Sequence, residues 1–251
     1  MKVDPDFKTM AKFLDWKRYE LSQSDADILQ HGGWLTSDIF TFAFAVLCDK
    51  DGWLTHDHFS FVNPLNIMML MHGDDADAAC VVEDLSLTSK DLLFIPLNDA
   101  DATNARQRGT HWRLLVFCKS TQTFHLYDSS SRSTGGEDFG AQANALVARL
   151  SPFLISDDSS HQKRQEPCPQ QVNGYDCGMY VISLVQFLCS SFSNKDHGKE
   201  GKDSNSDRTI PDSPSDLAAS IKELITPEYV TERRLQLLEE AVRLRQVSEE
   251  K

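Results

Sequence analysis

The sequence predicts an α+β fold, with helices flanking a central group of strands. Two β-type runs, residues 112–118 and 124–127, are joined by the short polar segment 119–123, which is a hairpin signature. Residues 92–97 (LLFIPL) read as a third, buried strand with Pro96 near its end. Around these lie segments of helical character at 39–47, 141–154 and 179–188, and no internal repeat is visible.

Taken in order, residues 7–29 mix charge with scattered apolar side chains, and predict a short helix or irregular segment leading into a strand or turn. Gly32-Gly33 breaks that pattern. The stretch from Trp34 to Asp38 then opens an apolar run, 39–47, predicted to be a buried helix with Thr36 or Ser37 as its N-cap. A polar loop, 49–58, and a short helix after Pro64 within 61–72 precede the 92–97 strand. Residues 98–110 form a hydrophilic loop before the hairpin, and 129–140 a Ser/Gly-rich loop after it. Residues 141–154 read as an amphipathic helix. Segment 193–214 carries one aliphatic residue, Ile210, and no aromatic, and is expected to be a flexible surface insertion. Ser215 is expected to cap a helix over 216–225. Thr226-Pro227 reads as the N-cap and first-turn proline of a last helix ending near Val247.

The 251 residues suffice for one sizeable domain with a core, or two small ones. Apolar residues make up 40% and charged residues 25%, as in ordinary globular proteins. No apolar run approaches the ~20 residues of a membrane span. The N-terminal MKVDPDFKTMAKFLDW is too polar and acidic for a signal peptide, so the cytosol or nucleus is expected. A net charge of −13 argues against nucleic acid and anionic membranes as partners, and is compatible with a basic protein. The six cysteines include no Cys-x-x-Cys pair and suggest no disulfide framework. His56, His58 and His72 lack a completing cluster, so no metal or other cofactor is expected.

The chemistry concentrates in residues 165–188, QEPCPQQVNGYDCGMYVISLVQFL. The first half is polar and turn-rich, and the second, from residue 179, suits a buried helix. Cys177 falls where that helix begins. Free N–H groups and the positive end of the helix dipole there favour thiolate over thiol. Gly178 is expected to let a substrate backbone come close. Gln171, six residues upstream, could share an oxyanion hole with the Cys177 N–H. A base and its orienter come from the hairpin. His111 begins the first strand and Asp128 follows the second, so both fall at one edge of the sheet. His125, inside its strand, and His161, in a polar loop, are weaker alternatives.

Trp34-Leu35, Phe42-Ala43-Phe44, Leu97-Asn98-Asp99, Gly109-Thr110-His111-Trp112, Tyr127-Asp128-Ser129 and Tyr175-Asp176-Cys177-Gly178-Met179-Tyr180-Val181 form an ordered set. In that set the chain resembles the ubiquitin-like-protein-specific cysteine proteases, the family of the SUMO (sentrin) proteases, and most of all their deneddylase branch. The resemblance implies a single protease domain over 1–251, with a papain-like α+β fold and a central mixed sheet. It implies a His111–Asp128–Cys177 triad with Gln171 at the oxyanion hole, and a channel walled by Trp34 and Trp112 for a Gly-Gly tail. Asn98 and Asp99 would be modifier contacts. The family's Asn-Asp after Trp-Leu is replaced by Thr36-Ser37, and Asp38, one place later, would supply the acid that holds the tail. The implied activity is isopeptide and precursor cleavage after a ubiquitin-like modifier of Nedd type. Cullin-type conjugates would be the targets and the enzyme a monomer. SUMO- or ubiquitin-directed cleavage, acyl transfer from acetyl-CoA on the same fold, and a catalytically silent modifier-binding module remain open alternatives.

Overall fold

The computed structural model describes residues 12–50, 58–99, 109–130, 139–155, 162–193 and 213–249. The beginning of the 7–29 segment, the loop containing His56, most of the 98–110 and 129–140 loops, His161 and nearly all of the 193–214 insertion lie outside them.

The chain opens on a hairpin, β1 (Lys12–Trp16) and β2 (Tyr19–Ser22), then α1 (Gln23–His31). This differs from the helix or irregular segment expected there. The turn is made by Lys17 at φ 56°, a left-handed conformation without the Gly or Asn that ordinarily announces it. Ser22 caps α1 in a capping box with Asp25, and Gly32 ends the helix at φ 85°.

Next comes α2 (Ser37–Lys50). Of the two expected caps Thr36 is the one used, its Oγ1 accepting from the Ile39 N–H at 3.3 Å. After β3 (Phe59–Phe61) lie α3 (Pro64–His72), capped by Asn63, and α4 (Asp75–Asp84), capped by Asp74. Strands β4 (Leu92–Asn98), β5 (Trp112–Cys118) and β6 (Thr123–Tyr127) follow, then α5 (Ala141–Leu154) and β7 (Gln162–Glu166).

The five strands run in the order β3-β4-β5-β6-β7. The central pairs are antiparallel and the outer two parallel, so the sheet is mixed. Strand β7 has a polar sequence, QKRQE, exposed along most of its length. It pairs at the sheet edge, where charged side chains discourage further strand addition.

The period-2 alternation of β4 and β5 divides the core. Leu92, Phe94, Leu114 and Val116 face the layer that contains α2 and α6 (Cys177–Ser193). Leu93, Ile95, Leu115 and Phe117 face α3, α4 and α5. Burial on both faces explains why LLFIPL reads as a continuous apolar run.

The C-terminal region comprises a 3-10 turn (Pro214–Leu217), α7 (Ala218–Leu224) and α8 (Pro227–Glu249). Ser213, and not Ser215, is the cap, because Pro214 is already set for a first turn. The Ser215 hydroxyl instead donates to Glu166 Oε1 at 2.6 Å. Thr226 does cap α8, accepting from the Tyr229 N–H. Helix α8 lies against β1, α1 and α6, which brings the C-terminal region onto the segments before Trp34 and Cys177.

Candidate active site

Cys177 is the first residue of α6 and is fully buried. The turn before it is built by Asn173, whose Oδ1 accepts from the N–H groups of Tyr175 (3.1 Å) and Asp176 (2.9 Å). The Asp176 carbonyl accepts from the Tyr180 N–H at 3.0 Å, starting the helical ladder. The free N–H groups of the first turn therefore gather around Cys177, as the sequence predicts.

His111 and Asp128 meet across the hairpin. Leu114 is paired with Tyr127, which sets both at the same end of the sheet, and His111 Nε2 lies 2.7 Å from Asp128 Oδ1. That carboxylate oxygen also accepts from the Ser130 N–H at 2.8 Å, so Asp128 is held from the backbone side. Burial disfavours the charged ring. The hydrogen bonds to Asp128 and then to Cys177 outweigh it, and raise the His111 pKa from 6.5 to about 9. With Nε2 engaged by the carboxylate, Nδ1 is the nitrogen left for the thiol. The ring thus favours the imidazolium that a thiolate needs beside it.

Asp99 contributes to the same histidine. Its carboxylate accepts from the Thr110 hydroxyl at 2.9 Å and the His111 N–H at 2.8 Å, and its own N–H donates to the His111 carbonyl at 3.1 Å. Expected among the modifier contacts, Asp99 here braces the backbone that presents His111. Gln171 is oriented at both ends of its amide. Oε1 accepts from the Ser129 hydroxyl at 2.9 Å, and Nε2 donates to the Asn173 carbonyl at 2.7 Å. One Nε2 hydrogen is left over from these bonds.

Trp34 and Trp112 are tied to opposite arms of the site. Trp112 is buried, 4.2 Å from the Phe40 ring, and its indole N–H donates to the Leu35 carbonyl at 3.0 Å. Trp34 is 51% exposed, and its indole N–H donates to the Gly174 carbonyl at 2.7 Å. Both line a cavity of about 860 Å³, together with Asp38 and Asn98. Asp99 and Cys177 are not in that lining. Burial, and then the neighbouring carboxylates of Asp25 and Glu20, push the Asp38 pKa up.

Gly178 has a different use from the one expected. A Cβ there would lie 2.9 Å from Leu35 Cγ, so the glycine admits the Leu35 side chain against the start of α6. His125, the alternative base, is taken up elsewhere, its Nδ1 2.8 Å from Glu166 Oε1 in a buried pair. Burial raises the Cys168 thiol, and Asp128 adds to it, so that cysteine is kept as a thiol. Among the described residues no three His, Cys, Asp or Glu side chains gather in a group that could hold a metal ion.

Two contributors were not anticipated from the sequence. Asn173 has a readable signal, since an Asn three residues before Asp176 suits an Asx turn. Arg234 on α8 has none. Its guanidinium reaches Asp176 Oδ1 at 2.7 Å across 58 residues of chain.

An α+β fold that presents a buried helix-start cysteine, a carboxylate-bound histidine and an oriented glutamine amide has the constitution of a thiol protease. The comparisons with known proteins agree. The model of the Ulp1 protease family, C-terminal catalytic domain, matches residues 78–209, and the chain belongs to that family, whose members are cysteine proteases acting on ubiquitin-like proteins. Sentrin-specific protease 8 of Homo sapiens is 31% identical over 215 residues, 85% of this chain and 88% of that protein. NEDD8-specific protease 1 of Arabidopsis thaliana is 30% identical over 219 residues, 85% of this chain and 92% of the relative. Among solved structures, a de-sumoylating protease superposes with TM-score 0.61 at 14% identity, covering 96% of this chain and 93% of that one. At that identity the likeness concerns the fold.

Proposed function

We propose that this protease acts on a Nedd-type modifier, cleaving after its C-terminal Gly-Gly both in conjugates and in the precursor. The observation that carries the reading is the likeness, at about 30% identity over 85% of the chain, to relatives named sentrin-specific protease 8 and NEDD8-specific protease 1. Cullin-type conjugates in the cytosol or nucleus are the proposed targets, met by a monomeric enzyme.

In the proposed mechanism Cys177 Sγ attacks the carbonyl carbon of the last glycine. The oxyanion that forms accepts from the Cys177 N–H and from Gln171 Nε2. His111, protonated beside Asp128, gives its proton to the leaving amine, and the amine departs to leave a thioester. His111 then takes a proton from water, the hydroxide adds to the thioester, and the thiolate leaves with the carboxylate product. The channel between Trp34 and Trp112 would admit only a tail without side chains, which makes the diglycine requirement one of shape. Asp38 and Asn98 in the adjoining cavity would hold the residues before the glycines, with a basic side chain facing Asp38.

Intact-mass detection of covalent capture tests the reading. The protein is incubated with Nedd-type, SUMO and ubiquitin probes that carry a C-terminal thiol trap, alongside Cys177→Ala. An adduct with the Nedd-type probe that is absent from the variant is the expected result. A dominant adduct with SUMO or ubiquitin overturns the modifier assignment and keeps the chemistry, whereas an adduct that survives in Cys177→Ala overturns the nucleophile.

A further inference from the structure

Helix α8 is remote from the reacting groups in sequence, yet its one deeply buried cation ends beside them. Arg234 is 4% exposed. Its Nη1 donates to the Ile28 carbonyl at 3.0 Å, and Nη2 donates to the Gly33 carbonyl at 3.2 Å and to Asp176 Oδ1 at 2.7 Å. Gly33 precedes Trp34, a wall of the channel, and Asp176 precedes Cys177. The guanidinium therefore bridges the two segments whose separation sets where a tail meets the thiol.

The surroundings bind the same two segments more closely. The other carboxylate oxygen of Asp176 accepts from Asn173 Nδ2 at 2.6 Å. The Asn173 carbonyl in turn accepts from Gln171 Nε2. The Tyr175 ring lies 5.6 Å from the Arg234 guanidinium carbon and presses on Gly32, where a Cβ would stand 2.8 Å from it. Trp34 adds its own bond to the Gly174 carbonyl. One chain of contacts thus runs from Arg234 through Asp176 and Asn173 to the glutamine amide, and a second runs to Trp34.

A buried ion pair is weak support for stability, because desolvation offsets its attraction, whereas a planar fork meeting three acceptors fixes geometry well. We infer that Arg234 is a positioning residue for this reaction. It acts through Asp176 and Gly33 to set the Cys177 N-terminus, the Gln171 donor and the Trp34 wall in register. The inference rests on Cys177 being the nucleophile.

The test uses the full chain as wild type, Arg234→Met, Arg234→Lys and Asp176→Asn, with a Nedd-type modifier bearing a C-terminal aminomethylcoumarin as substrate. Competent sites are counted with a thiol-trap probe, so that kcat refers to sites and not to total protein, and Tm is recorded alongside. Misplacement of reacting groups by about 1 Å costs on the order of a hundredfold, so Arg234→Met should lower kcat per site by about ten- to a hundredfold, with KM within about threefold. Arg234→Lys should recover only part of the loss, because a single ammonium cannot reproduce the fork. A lower Tm with wild-type kcat per site in Arg234→Met would reduce Arg234 to a fastener for α8 and overturn the proposal. If Arg234→Met does not fold, Asp176→Asn decides, since it leaves both carbonyl bonds in place: a lowered kcat per site supports the role and an unchanged one overturns it. A wild-type chain that the trap never labels at Cys177 overturns the nucleophile assignment and this role with it, whereas normal wild-type labelling with unaltered variants overturns the role alone.

Discussion

Asp128→Asn isolates what the carboxylate does for His111. Asparagine keeps an oxygen where Oδ1 accepts from His111 Nε2 and the Ser130 N–H, so the geometry is retained and the charge is removed. In the wild type burial opposes protonation of the ring and the bonds to Asp128 and Cys177 prevail, holding the pKa at about 9. Without the charge only Cys177 still raises the ring against burial, so the pKa should fall back toward about 6.5. The imidazolium fraction at pH 7.5 then falls from nearly all to about a tenth, and at pH 9 from about half to well under a hundredth. Turnover that needs the imidazolium as proton donor should therefore drop about tenfold at pH 7.5 and on the order of a hundredfold at pH 9.

The assay is kcat/KM against pH from 6 to 10 for cleavage of a modifier–aminomethylcoumarin substrate. Wild type should lose activity as pH rises through about 9, and the variant more than two pH units lower. The sign of the stability effect follows from the same shift. A pKa raised in the folded state stabilises fully below about 6.5 and ceases to do so as pH rises through about 9. The Tm deficit of Asp128→Asn should accordingly be largest in mild acid and shrink toward pH 9. A loss of activity equal at every pH, with the alkaline limb unmoved, would refute the assignment of Asp128 as the group that keeps His111 protonated.

Three further outcomes follow from other contacts. Gly178→Ala sets a methyl group 2.9 Å from Leu35 Cγ, and should cost about 1–3 kcal/mol in urea unfolding. It should also lower kcat, because the Leu35 carbonyl holds Trp112 in place. Glu166→Ala leaves the buried His125 without its carboxylate and frees Ser215, and should destabilise by about 2–4 kcal/mol in the same assay while kcat per titrated site stays at the wild-type value. Asp38→Ala should raise KM about two- to fivefold for a modifier with a basic residue before its glycines and leave kcat unchanged, as steady-state kinetics on matched substrates would show.

The candidate reacting groups were legible in the sequence because each sits at a junction where two local patterns meet. Cys177 separates a turn-rich stretch from an apolar helix, and His111 and Asp128 close the two ends of a hairpin. Helix α5 follows from its periodicity and strands β4 and β5 from their apolar runs, since their side chains fill a core on one or both faces. Where burial is slight the signal fails. Strand β7 is polar because it lies at an exposed edge, and the β1–β2 turn uses a lysine in a conformation that sequence patterns assign to glycine.

What the sequence conceals most is how the reacting groups are held. Asp99 is taken as a modifier contact on the family resemblance, and nothing local in the sequence shows that its carboxylate bonds back to the residue that carries the base. Gly178 is read as room for substrate, but Leu35 occupies that room. Arg234 lies on an unremarkable charged helix, with no local feature to distinguish it from Arg233 beside it, and only folding shows that it reaches Asp176. The difference is physical. A nucleophile and its base need particular residue types at particular junctions, which leaves a local trace. A positioning contact needs only one end of a long side chain to arrive, and any element packed nearby can supply it. In this fold the last helix does so, which makes α8 part of the active site by contact though not by chemistry, and leads to the expectation that changes at its buried face will appear in kcat before they appear in substrate binding.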